Sequence, residues 1–221
     1  MYNLDSRLID IISADPTVIL LLPRFGIGLG FGNSTVKQVC RDNNVPATLF
    51  LMVCNIYAVD GYRVSREHLS GLELGHLLRY LRGSHQYYLS DRLPHIRSHL
   101  DSVAQSAGDV QGHILTRYYN EYIEQVESHF KNEEQKLFPT VERLAAGQQA
   151  DNSVIESFAR HHDRLDEQLS DLMQLVLRYM PGADTKDSSE MLFDIVILVR
   201  DLQKHAQIEE KVLLPYIKLL M

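Results

Sequence analysis

Cysteine is scarce in this chain: only Cys40 and Cys54 occur in 221 residues. Two cysteines cannot form the disulfide framework of a small secreted scaffold, and their scarcity points to a reducing compartment. They cannot build a four-thiolate zinc or iron–sulfur site either. Any metal chemistry must therefore use imidazole and carboxylate. Positive charge is also short. Lys plus Arg is 22 against 29 Asp plus Glu, a net charge of −7, which argues against a nucleic-acid partner. Long apolar runs are missing. The longest, Val18 to Leu22 and Ile195 to Val199, fall far below the roughly 20 residues of a membrane span. The opening Met-Tyr-Asn-Leu-Asp-Ser-Arg lacks the basic start and apolar core of a signal peptide. These absences predict a soluble, cytoplasmic protein with no membrane partner. A 45% apolar content supplies a sizeable core and excludes wholesale disorder. Histidine is plentiful, at ten, and needs an explanation.

Breakers concentrate in the first quarter. Leu8, Ile9, Ile11 and Ile12 suit a short helix ending near Ala14. Asp15-Pro16 opens a second one, Asp as N-cap and Pro at the first helical position, stopping near Pro23. Glycines at 26, 28, 30 and 32 cannot hold a helix or pack a strand, so a loop follows. No strand precedes this loop and no Gly-Lys-Ser/Thr follows, which argues against a phosphate cradle. Asn33 or Ser34 then caps a helix through Cys40, and Pro46 opens another to about Tyr57. Residues 1–58 thus read as a small helical module and 59–71 as a linker. From 72 to 221 helical periodicity dominates and strand signals are absent. Four helices are expected at about 72–106, 110–146, 152–180 and 187–219, with Pro94 and Pro139 kinking or shortening two of them. The fold class is all-α: an up-down-up-down four-helix bundle behind a small helical module.

Two segments of the bundle share a pattern. His129 to Pro139 and His205 to Pro215 both read H-x3-E-E-x2-L-[FL]-P. Residues four apart on a helix lie about 40° apart around the axis and about 6 Å along it, so each His and its Glu share a face. One such pair would be read as a solvated surface contact. Two pairs, each extended by the same further positions, are a duplicated ligand set. The repeat reaches further: His129 and His205 are 76 apart, and His85 and His162 are 77 apart, one helix earlier. The four helices look like two copies of one helix pair. Distances from the loops allow His85, His129, Glu133, His162, His205 and Glu209 to reach one level of the core.

Four imidazoles and two carboxylates suit a dinuclear site. If Glu133 and Glu209 both bridge, each metal gains two oxygens and two nitrogens. A bridging oxo or hydroxo ligand raises the count to five, and an octahedral metal keeps one position open for O2, NO, peroxide or water. Such ligands suit iron or manganese, with zinc as a further choice, and iron is the choice for redox and diatomic chemistry. A ferritin-like arrangement needs E-x-x-H twice, and Glu73 to His76 is the single instance. The remaining histidines read as bystanders: His95 and His99 as a polar helix end, His68 and His113 as exposed, His76 as outer or surface, and His161 as turned away. Tyr87, Tyr88, Tyr118, Tyr119 and Tyr122 are expected in the core, and Asp166 on a solvated face.

These motifs, with their Leu-Phe-Pro and Leu-Leu-Pro tails, resemble the hemerythrin-like (HHE cation-binding) domain. Leu8 to Cys40, with Asp15-Pro16 and the Phe25-Gly26-Ile27 turn, is similar to the N-terminal domain of the iron–sulfur cluster repair di-iron proteins of the ScdA/YtfE type. The resemblance implies a non-haem, oxo-bridged di-iron centre in a four-helix bundle. It makes Glu133 and Glu209 the bridging carboxylates and His85, His129, His162 and His205 the terminal ligands. It also implies repair of iron–sulfur clusters under nitrosative or oxidative stress, by iron donation or by handling NO. The partners implied are NO or O2 and iron–sulfur proteins, and a homodimer is compatible. Two departures stand out. Gly30 and Phe31 occupy the place of the family's usual adjacent cysteines, and Cys40 nearby is a single residue packed in a helix. His85 lies eight residues before Leu93 rather than seven, with Gln86 at the usual place. The missing cysteine pair favours an alternative reading, a non-catalytic O2, NO or iron sensor or store that signals through its N-terminal module.

Overall fold

Helices form wherever the chain offers a cap and an apolar face. The computed structural model describes every residue except 161–164 and 181–184. Among the described residues the chain is all-α and no strand forms beyond one isolated bridge between Arg7 and Thr35. By packing, the chain divides into two compact units. The first holds Met1–Ser84, Thr140–Asp151 and Lys204–Met221; the second holds His85–Pro139 and Asn152–Gln203.

In the first unit, α1 (Leu8–Ala14) leads into a 3-10 turn (Pro16–Leu20) and α2 (Leu21–Arg24). Asp15 caps this turn, accepting hydrogen bonds from the Thr17 backbone N–H at 3.0 Å and its hydroxyl at 2.6 Å. Pro16 sits at the first position, where its missing N–H costs nothing. The glycine loop follows, with Gly26, Gly30 and Gly32 at positive φ. Helix α3 (Val36–Asp42) is capped by Thr35 rather than by Asn33 or Ser34. The reason is reciprocity: Gln38 donates its N–H to the Thr35 hydroxyl and its side chain accepts from the Thr35 N–H at 2.8 Å. Helix α4 (Ala47–Ala58) is almost wholly buried. Its Asn55 side chain pins the N-terminus, accepting from the Tyr2 N–H at 2.9 Å and donating to the Tyr2 carbonyl at 3.1 Å. Residues 59–71 carry a short helix, α5 (Arg66–Ser70), capped by Ser65. Phe25 stacks on Tyr80 at 4.8 Å and meets Phe50 edge-on, and Lys204 donates to the Ile56 carbonyl at 2.8 Å.

The long helices match their expected spans. The chain runs helically from Leu74 to Ser106, as α6 (Leu74–Tyr87), a π turn (Tyr88–Arg92) and α7 (Leu93–Ser106). It reverses at Ala107-Gly108 and runs from Asp109 to Ala145 as α8 (Asp109–Asn132), a π turn (Glu133–Leu137) and α9 (Phe138–Ala145). Then come α10 (Asn152–Arg160) and α11 (Leu165–Tyr179). Helix α12 (Thr185–Ile208), a third π turn (Glu209–Leu213) and α13 (Leu214–Leu220) complete the chain.

In the second unit α7, α8, α11 and α12 enclose one apolar core. It includes Ile96, Leu100, Leu115, Val126, Leu169, Leu172, Ile195 and Leu198, each essentially inaccessible. Burial of each such side chain stabilises the fold by about 1.5–3 kcal/mol before chain entropy is set against it. Tyr88, Tyr119 and Tyr122 lie in this core, with Tyr87 and Tyr118 against it, as expected. Two of the hydroxyls go to backbone this way: Tyr119 donates to the Leu93 carbonyl at 2.7 Å and Tyr118 to that of Gln168 at 3.0 Å. Gly112 marks where α8 meets α7 most closely, since a Cβ there would overlap the Ala104 carbonyl.

Pro94 and Pro139 do not break their helices. Each is separated by one residue from the end of a π turn, as is Pro215. The residue before each proline bonds five residues back: Leu93 N–H to Tyr88, Phe138 to Glu133 and Leu214 to Glu209. One extra residue in the turn moves the proline ring clear of the carbonyl it would strike in a regular α-helix.

Candidate metal centre

In the second unit, the last turn of α6 and the end of α8 bring three sequence-predicted ligands together. His85, His129 and Glu133 are all buried. Glu133 opens the π turn, one helical turn after His129. Its Oε1 lies 2.9 Å from His129 Nε2, and its Oε2 lies 3.1 Å from His85 Nε2. The other nitrogen of His85, Nδ1, lies 2.8 Å from Glu134 Oε1. The His85 ring stacks on Phe130 at 4.1 Å, only 9° from parallel.

This arrangement reads as a ligand set. When His85 donates its Nδ1 proton to Glu134, the Nε2 lone pair is left facing Glu133. Two electron-rich atoms 3.1 Å apart and out of water need a cation between them. A carboxylate on the far nitrogen of an imidazole is the usual means of orienting a metal-bound histidine. Among the described residues, neither Glu133 oxygen accepts a hydrogen bond of proper N–H···O alignment, although two imidazole nitrogens lie within reach. Burial pushes the Glu133 carboxyl upward, but His129 and His85 outweigh it and hold the group well below the usual carboxylate range. The pocket thus favours the charged form of Glu133.

In the first unit the second motif repeats this local geometry. His205 Nε2 lies 3.3 Å from Glu209 Oε1, and both side chains are buried. Glu209 opens its π turn just as Glu133 does. His162 and His161 lie outside the described residues. His85 is 1% exposed and meets Glu133, whereas Gln86 faces solvent.

A cavity of about 410 Å³ opens beside the first pair, bounded by His129, Glu133, Lys136 and Leu137 on one side and Ser153, Val154, Ser157 and Phe158 of α10 on the other. Two contributors escaped the sequence reading. Glu134 was visible as the second Glu of H-x3-E-E, the signal that could have found it. Phe130 carried no signal, because its role depends on which helix lies opposite. Elsewhere Glu73 and His76 form a surface ion pair at 3.2 Å, His113 is exposed and His68 half-buried. Asp166, half-buried, accepts a hydrogen bond from Gln203 at 3.0 Å.

No helix among the described residues is long and apolar enough to cross a membrane. Comparison with known proteins agrees with the donor chemistry. The chain is 20% identical over 219 residues to the iron–sulfur cluster repair protein ScdA of Staphylococcus haemolyticus (strain JCSC1435), covering 96% of this chain and 98% of that protein. The hemerythrin HHE cation binding domain matches residues 76–217, a span holding all six expected ligands. The chain belongs to the hemerythrin HHE cation-binding family.

Proposed function

We propose that this chain is a cytoplasmic, non-haem di-iron protein that serves iron–sulfur cluster repair under nitrosative or oxidative stress. It does so by binding or reducing NO or O2, or by donating iron. The ligands in this reading are His85, His129, His162 and His205, with Glu133 and Glu209 as bridging carboxylates beside an oxo or hydroxo bridge. The observation that carries it is buried Glu133 facing two imidazole nitrogens, with Glu134 behind one of them. The name of the ScdA relative supports the repair role. Bound iron would supply a redox-active position open to a diatomic ligand.

The chain's own residues set the conditions for that chemistry. Glu134 fixes the tautomer and angle of His85. Phe130 and Phe138, about two helical turns apart, both stack near the His85 ring and help to keep water from it. The cavity beside His129 admits a small ligand. Metal analysis of anaerobically purified protein tests the reading. About two irons per chain are expected from this donor set, with near-ultraviolet oxo-to-iron absorption after oxidation. No metal, or stoichiometric zinc alone, would overturn it. Glu133→Ala and Glu209→Ala should each lose at least one iron, and full loading of either variant removes the bridging assignment.

A second reading, a sensor or store without turnover, draws on the cysteines. Cys40 and Cys54 are both buried, and Gly30 and Phe31 lie in the loop where the family's pair would be. Introducing Gly30→Cys and Phe31→Cys separates the readings. A gain in repair activity marks a module that works through thiols, and unchanged activity one that does not.

A further inference from the structure

We propose a second, separate metal centre for a divalent transition ion of the zinc class, held by His95 and His99 of α7 and Asp194 of α12. The two histidines stand four apart and share a face of α7. Opposite them, Asp187, Glu190 and Asp194 make one stripe along α12. All five belong to the second unit.

The geometry suits an ion. One donor atom from each of His95, His99 and Asp194 lies within 4.8 Å of the others, and the same holds for His99, Asp187 and Glu190. His95 Nε2 is 3.1 Å from Asp194 Oδ2. Bonds of about 2.0–2.1 Å at tetrahedral angles set donors about 3.3 Å apart, so this pair already has the spacing of two ligands on one zinc. The remaining closure is a rotamer adjustment, within reach of His95, which is half exposed. Asp194 is held in place, because Arg92 grips its other oxygen at 2.6 Å. His99 Nδ1 faces Asp187 and Glu190 at 3.6 and 3.7 Å, and Ser102 donates a hydrogen bond to Asp187. With these carboxylates on the Nδ1 side, Nε2 would be the nitrogen that binds the ion, since an orienting carboxylate commonly takes the far nitrogen of a metal-bound histidine.

Charge points the same way. The three carboxylates Asp187, Glu190 and Asp194 outnumber the cations Arg92 and Lys186 beside them, an excess that a divalent cation offsets. Two imidazoles select zinc, nickel or copper over magnesium and calcium, which prefer oxygen. The ion would clamp α7 to α12 on the solvent side of the bundle, in exchange with free metal.

The test titrates Zn2+ into the iron-loaded full chain against a chromophoric chelator, with iron content measured throughout. One zinc equivalent should bind beyond the iron, with iron unchanged and the melting temperature raised. His99→Ala should lose that equivalent. Asp194→Asn, which preserves shape should the first variant fold poorly, should weaken it by about 10- to 100-fold or more. Mg2+ should neither bind nor compete. The proposal is overturned if the wild-type chain takes no added zinc, if zinc only displaces iron, or if Asp194→Asn binds zinc as tightly as wild type. The wild-type-to-variant difference reads this site alone, whatever the iron content.

Discussion

Glu134 shows how much one side chain behind the ligands can do. Glu134→Gln keeps its shape but removes the charge that faces His85 Nδ1. Outer partners of this kind are worth about 10- to 100-fold in metal affinity, so the variant should lose iron to a chelator at correspondingly lower concentration. Glu133 gives a pH dependence of known sign. Its folded-state carboxyl is lowered, after His129 and His85 outweigh burial. The stability it contributes is present above the unfolded value of about 4.3 and is lost as pH falls below it. Acid titration of the metal-free chain, followed by circular dichroism, should show Glu133→Gln reducing the acid dependence. The cysteines predict the opposite end. Burial pushes the Cys40 thiol up to about 12 and holds Cys54 well above its usual value. The folded chain therefore keeps protons that the unfolded chain releases above about pH 8.5, and stability falls as pH rises past that point. Neither thiol should react with iodoacetamide at pH 7.5 until denaturant is added, which mass spectrometry checks.

At the scale of the element, the sequence showed the helices more plainly than their irregularities. Apolar spacing located all the long helices, and Gly108, Gly147 and Pro181 located their ends. The N-cap of α3 was misplaced because Asn33, Ser34 and Thr35 all suit a cap, and the choice depends on Gln38. Pro94 and Pro139 pointed to kinks. Nothing local announces that a π turn absorbs each ring, because that depends on the register of bonds five residues back. The α7–α8 contact was equally hidden, since Gly112 reads as an ordinary breaker until Ala104 is seen against it. Gly112→Ala should gain helix propensity yet destabilise the chain by about 1–3 kcal/mol through the backbone overlap. Thermal melting checks the sign.

For the whole molecule, the ligand types were legible and their surroundings were not. The 76- and 77-residue repeats singled out His85 and His129, which the fold brings to Glu133, and His205, which it brings to Glu209. Repeats carry no information on which apolar rings flank a ligand, or on the cavity beside His129, which needs α10 in place. Metal binds the folded chain and so stabilises it by mass action. Removing the bound metal should lower the melting temperature. It should also speed amide exchange most in His129–Leu137 and His205–Leu213, the stretches where ligands and π turns coincide.

Those turns have a consequence for how the ligands tolerate change. A π turn is a phase slip: every residue beyond it is rotated by about one extra 100° step relative to an unbroken helix. Deleting a single residue between Glu133 and Leu137 would restore the unbroken phase. It would also drive Pro139 into a carbonyl and swing Leu137 and Phe138 off the core. The proline therefore acts as a ratchet tooth, permitting one winding of the helix and blocking the other.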